Sequence, residues 1–134
     1  MSHYVDIVTE IRDQAALVKA LERLGFGPNK VEVHDKPQPL IGYQGDKREQ
    51  LAHVILRRRF VGGASNDIGF LKGSDGRYIS HISEYDQTYY NSTWQNKLCT
   101  YYGVEKSKIE LSKKGLKFTE DLDEQQRPRL RVRL

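Results

Sequence analysis

The 134 residues suit one ordinary domain and are too few for two. Eight Tyr, four Phe and one Trp supply bulky core material, so 30% charged residues do not imply wholesale disorder. The composition excludes a membrane bundle, a collagen-like repeat and a cysteine-stapled secreted scaffold. The formal charge is +4, from 22 Lys and Arg against 18 Asp and Glu. Arg127, Arg129, Arg131 and Arg133 account for that whole excess, so the rest of the chain is neutral and not a uniformly basic nucleic-acid surface.

Val5, Ile7, Thr9 and Ile11 alternate with Asp6, Val8 and Glu10, which predicts a strand with one apolar face. Asp13 reads as an N-cap, with Ala16, Leu17, Ala20, Leu21 and Leu24 at helical spacing and Gly25 as the stop. Val31 and Val33 mark a short strand, beyond which Pro37 and Pro39 lack the amides that regular pairing needs. Gly42-Tyr43-Gln44-Gly45 predicts a turn into a strand from Leu51 to Arg59. Ile68 to Lys72 and Tyr78 to Ser83 form a hairpin around Ser74-Asp75-Gly76. Asn91 or Ser92 caps a second helical region, with Trp94, Leu98, Tyr101 and Tyr102 inward and Gly103 as a point of kinking or splitting. After the stop at Gly115, Leu116 to Leu122 and Arg129 to Leu134 predict a closing hairpin that sends Leu130, Val132 and Leu134 inward. The expected architecture is one α+β domain over 1–134, a mostly antiparallel sheet with two helical regions packed on one face. A strand-helix-strand-strand order reads as occurring twice.

Cys99 is the only cysteine, so no intrachain disulfide forms and a reducing compartment is expected. Met1 to Asp6 has no basic stretch leading into an apolar run, and no segment approaches the roughly 20 apolar residues of a membrane helix. The expected location is the cytoplasm or the equivalent space of an organelle that makes its own proteins.

Ser2-His3-Tyr4 through Ile11 and the capped helix, then Gly42-Tyr43-Gln44-Gly45 with Lys47-Arg48, then Asp67-Ile68-Gly69-Phe70 and Asp75-Gly76, and finally a helix reaching Gly115, follow one another over essentially the whole chain. In order and spacing they resemble the hypothetical chloroplast reading-frame family of cyanobacteria and plastids, a domain-of-unknown-function family with bacterial relatives. The resemblance implies a small soluble protein, in the plastid stroma where plastid-encoded, whose genes lie near an AAA-class ATPase, a ferredoxin or a second small protein. It carries no catalytic residues. Tyr85 to Tyr90 departs from the tryptophan-rich pattern expected at that position.

Tyr43, Gln44, Lys47 and Arg48 form the most site-like segment, since glycines admit a phosphate to backbone amides that neighbouring cations can support. Its glycine spacing is not that of a P-loop, and the plainer reading is a turn. Arg57 to Arg59 and the terminal arginines, Arg131 and Arg133 among them, can track phosphates or pair with Glu120, Asp121, Asp123 and Glu124. Tyr89, Tyr90 and Trp94, with Tyr85, are a candidate protein-binding patch. His3, His34, His53 and His81 have no metal-ligand spacing, and Cys99 reads as a buried or half-buried thiol. No cofactor and no catalytic constellation is expected. The leading expectation is an accessory or adaptor protein acting through protein contacts, with an AAA-class ATPase or a photosynthesis-related complex as the implied partner. The alternative is a nucleic-acid or phosphometabolite binder using the basic strips, and an enzyme comes last.

Overall fold

A computed structural model describes residues 3–133; Met1, Ser2 and Leu134, the last expected in the core, lie outside the described residues. The first strand, β1 (Tyr4–Val8), leaves Asp6 and Val8 exposed while Ile11, beyond its end, is buried. The Asp13 carboxylate accepts from the Ala16 amide at 3.1 Å and caps α1 (Gln14–Arg23), whose Ala16, Leu17, Ala20 and Leu21 are buried. Gly25, at φ +98°, ends it in the left-handed conformation that a Cβ would disfavour. There follow β2 (Glu32–Ile41), β3 (Lys47–Leu56), the single turn α2 (Arg58–Val61), β4 (Ile68–Lys72) and β5 (Tyr78–Ser83). The chain closes with α3 (Ser92–Lys113), β6 (Lys117–Leu122) and β7 (Pro128–Arg133).

The five-stranded sheet runs β1-β5-β4-β3-β2, antiparallel throughout, and the fold is α+β. Leu17, Leu21, Trp94 and Leu98 from α1 and α3 share one core with Val54, Leu56, Phe70 and Ile82 of the sheet. The helices are also joined at one end, where the Tyr102 hydroxyl accepts from the Arg12 and Asp13 amides at 3.0 Å each. Asn91 is the cap of α3, accepting from the Trp94 amide at 3.1 Å.

Four expectations need correction. The α3 helix runs through Gly103 without a break; a Cβ there would meet no atom within 4 Å, so no packing constraint acts at that point. The closing pair β6-β7 forms a sheet of its own against α3, so the two strand-helix-strand-strand units are not equivalent: only the first adds its strand pair to the main sheet. Val132 is accordingly 42% exposed and Leu130 only half-buried, because a two-stranded sheet has one helix to lean on rather than a core.

The fourth correction shapes the site. Strand β2 does not stop before Pro37 but continues to Ile41, with register breaks between Val33 and Gln38 and between Pro39 and Ile41. As an edge strand it tolerates missing amides, and the prolines lie at its irregularities. The breaks let the β2-β3 hairpin curl over the sheet face opposite the helices. Leu40, Ala52 and Ile55 make a second core there, closed by Tyr4 from the far edge. Gly69 admits that closure, since a Cβ on it would lie 2.5 Å from the Ala52 Cβ and 2.7 Å from Leu40 Cδ2.

Candidate functional site

The curled hairpin brings together cations that lie well apart in sequence. Strand β3 ends at Leu56, and Arg57 to Arg59 lead into α2 rather than extending the strand. Gly62 follows closely against Ser65, whose hydroxyl would stand 2.5 Å from any Cβ at position 62. Lys47, from the start of β3, faces Arg57, Arg58, Arg59 and the Gly62-Gly63 backbone across an open concavity of about 770 Å³, with Gln38 and Pro39 on its wall.

Asp67 is the pin. Fully buried, its carboxylate accepts from the Ile41 and Arg58 amides and from Arg57 Nη1, each at 2.7 Å. Its own amide donates to the Ile41 carbonyl at 2.9 Å, and its carbonyl accepts from the Tyr4 hydroxyl at 2.6 Å. Arg57 also meets Glu32 in a two-pronged contact, both arms 2.8 Å. It is therefore engaged by two carboxylates and is a structural cation. Lys47, Arg58 and Arg59 differ: among the described residues no carboxylate lies within 4 Å of their charged ends. Arg58 reaches the Tyr43 carbonyl at 2.9 Å, and Arg59 lies 4.6 Å above the Phe60 ring.

Next to Asp67, the buried Asn66 accepts from the Tyr43 amide at 2.9 Å and donates to Ser83 Oγ at 2.9 Å. Asp86 accepts from the Asn66 amide at 2.9 Å and from the Ser83 hydroxyl at 2.8 Å. The pair Asn66-Asp67 thereby ties the hairpin tip, the arginine turn and the segment after β5 into one buried network. In such a network every polar group has a partner, which fixes geometry as much as it adds stability.

The Arg57 hydrogen bonds hold the Glu32 carboxyl below the usual carboxylate range, with His34 adding to the effect. A lowered folded-state value means stability that is present above the unfolded carboxylate pKa, ~4.3, and is lost as pH falls through the folded value. Glu32 is partly solvated, so screening limits the gain to about 1 kcal/mol or less. Urea melts from pH 7 to pH 3 should show wild type losing this increment in acid, with Glu32→Gln less stable at pH 7 and its deficit vanishing near pH 3.

The sequence candidates divide. Lys47 lines the groove, but Arg48, the next residue on the strand, points the other way, its guanidinium 5.3 Å from the Tyr4 ring centre and its side chain 11% exposed. Tyr43 contributes backbone groups to the site rather than its ring, and Gln44 is an exposed tip residue. The aromatic patch is corrected in part: Tyr90 and Trp94 are core residues, 5% and 9% exposed, while Tyr85 and Tyr89 are 55% and 72% exposed. The terminal arginines do not join the groove. Arg129 and Arg131 meet Asp121 at 2.8 and 3.1 Å, Arg127 meets Asp123 at 2.9 Å, and Arg133 lies exposed at the end of β7.

Cys99 is exposed rather than buried, and packing around its sulfur pushes the thiol pKa up, opposite to what a nucleophile needs. The His81 Nδ1 lies 2.6 Å from Asp6, and His53 accepts from the Lys72 amide, so the two histidines make separate contacts. Among the described residues no group of three or more His, Cys, Asp or Glu could hold a metal ion, and no helix is long and apolar enough to cross a membrane. Comparison with protein-family models, with curated proteins and with solved structures returns no match.

The residues that sequence reasoning missed as a unit are Asn66, Asp67 and the glycines before them. A signal was present in Gly62-Gly63 and Asn66-Asp67, a turn-rich loop directly after three arginines.

Proposed function

We propose that the protein works by binding rather than by turnover, and that its ligand is a polyanion seated in the groove. The convergence of Lys47, Arg58 and Arg59 on one concavity, none of them engaged by a carboxylate among the described residues, carries this reading. A volume near 770 Å³ is in the range of small-molecule sites, and the Asp67 network fixes the backbone turn from which Arg58 and Arg59 project. Inorganic tripolyphosphate is the simplest probe. Calorimetric titration at low salt should show binding that weakens at least tenfold in Lys47→Ala/Arg59→Ala, while Arg131→Ala/Arg133→Ala binds like wild type. Equal affinity in all three proteins overturns the groove as the site.

The exposure of Tyr85 and Tyr89 favours a second reading, the adaptor role, with a protein partner held through these rings. On the family resemblance that partner is an AAA-class ATPase or a photosynthesis-related complex, met in the cytoplasm or plastid stroma. Neither reading assigns catalysis.

A further inference from the structure

We propose that the polyanion is a single-stranded nucleic acid, its phosphates against Lys47, Arg58 and Arg59 and its bases stacked on Tyr89 and Tyr85; this rests on the groove being the anion site. The Gly62-Gly63 backbone borders two hollows. One side is the basic concavity; the other, of about 360 Å³, is bounded by Tyr85 and Tyr89. Beyond Tyr89 a third hollow is bounded by Phe60 and Lys97, so Tyr89 stands between two openings. Cations followed by exposed rings, with a side-chain-free saddle between them, match a chain of alternating phosphates and bases.

Tyr89 is also braced. Its ring stands edge-on to Tyr90 at 4.8 Å, and Tyr90 stands edge-on to Trp94 at 5.0 Å while its hydroxyl donates to the Val61 carbonyl at 2.9 Å. The two exposed tyrosines flank the short turn Asp86–Thr88, whose Asp86 is held by Asn66 and Ser83. Asn66 is joined through the backbone to Asp67, which holds Arg57 and Arg58. One buried network therefore ties the turn beside the rings to the backbone turn from which Arg58 and Arg59 project. A rigid ring loses little freedom on stacking, and stacking is open only to unpaired bases. With the rest of the molecule close to neutral, three cations predict a modest salt dependence, a log–log slope of about −2, rather than the steep one of a broad basic surface. Two tyrosines and three hollows exceed what a single nucleotide fills.

The test is fluorescence anisotropy with a labelled thymidine dodecamer, a duplex of the same length, and thymidine triphosphate and tripolyphosphate as competitors. The dodecamer should bind with a slope near −2 and outcompete thymidine triphosphate. Tyr89→Ala, at an exposed site where folding is not at risk, should weaken the dodecamer about tenfold and leave tripolyphosphate binding unchanged. Tyr89→Phe should retain full affinity, since stacking uses the ring and not the hydroxyl. The proposal is overturned if the duplex binds as well as the single strand, if the triphosphate competes equally, or if Tyr89→Ala changes nothing; the last result returns the tyrosines to a protein partner. In each of these cases the groove survives as an anion site provided tripolyphosphate still binds and still depends on Lys47 and Arg59. If tripolyphosphate itself fails to bind, the groove reading falls first, and this inference with it.

Discussion

Asp67→Ala is expected to cost about 3–5 kcal/mol, enough to bring a domain of ordinary stability close to unfolding. The carboxylate is fully buried and receives three donors, the Ile41 and Arg58 amides and the Arg57 guanidinium. Its removal strands two partly buried amides, each worth up to ~1–3 kcal/mol when left without an acceptor, and leaves Arg57 with Glu32 alone. Asp67→Asn keeps the shape and one acceptor but sets an NH2 group against a donor, so an intermediate loss is expected. Urea midpoints would rank wild type, asparagine and alanine in that order. Amide exchange at Ile41 and Arg58 should accelerate before global unfolding, because these are the bonds cut. An alanine variant as stable as wild type would show that water replaces the carboxylate and that the pin is not one.

Trp94→Ala is expected to cost about 3–5 kcal/mol through the cavity left between α3 and the sheet. The indole is 9% exposed, stands edge-on to Tyr90, and belongs to the cluster that includes Phe70, Ile82 and Leu98. Thermal or urea unfolding measures this directly. A small loss, below about 1 kcal/mol, would mean that the ring lies on the surface after all. The result also governs how binding experiments are designed. A variant altered at both Tyr89 and Trp94 would report folding, whereas Tyr89 alone reports the surface.

What the sequence made legible follows from where physical rules are local. The Asp13 and Asn91 caps, the Gly25 and Gly115 stops and the Asp75-Gly76 hairpin depend on a few adjacent residues, and each stands where the pattern put it. The alternation of Leu130 and Val132 was also local, but it says only that one face of β7 is apolar. Whether a core exists on that side depends on where the strand pair docks, and it docks on a helix. Trp94 and Tyr90 have the same chemistry whether they lie in a core or at an interface, so sequence alone could not divide the aromatic run. The groove was the least legible part. Lys47 and Arg57 sit at opposite ends of a strand and would be far apart on a straight one. Only the curl at the Pro37-Pro39 irregularities brings them to one concavity, and prolines announce a disturbance without its direction.

The strand order has a consequence for how the chain is made. Strands β2 to β5 follow one another in space as they do in sequence, so each can pair with the one synthesised just before it. Strand β1 cannot. Its Tyr4 lies opposite Ser83, so this strand must wait until the rest of the sheet has been made. During that interval Tyr4, the residue that later closes the second core and donates to Asp67, has no neighbouring strand to hold it in place. Pairing that spans so much chain comes late and is slow, because the long loop must close before any contact rewards it. The tying together of the hairpin, the arginine turn and the sheet's far edge is thus expected late in folding, when β1 returns to pair with β5.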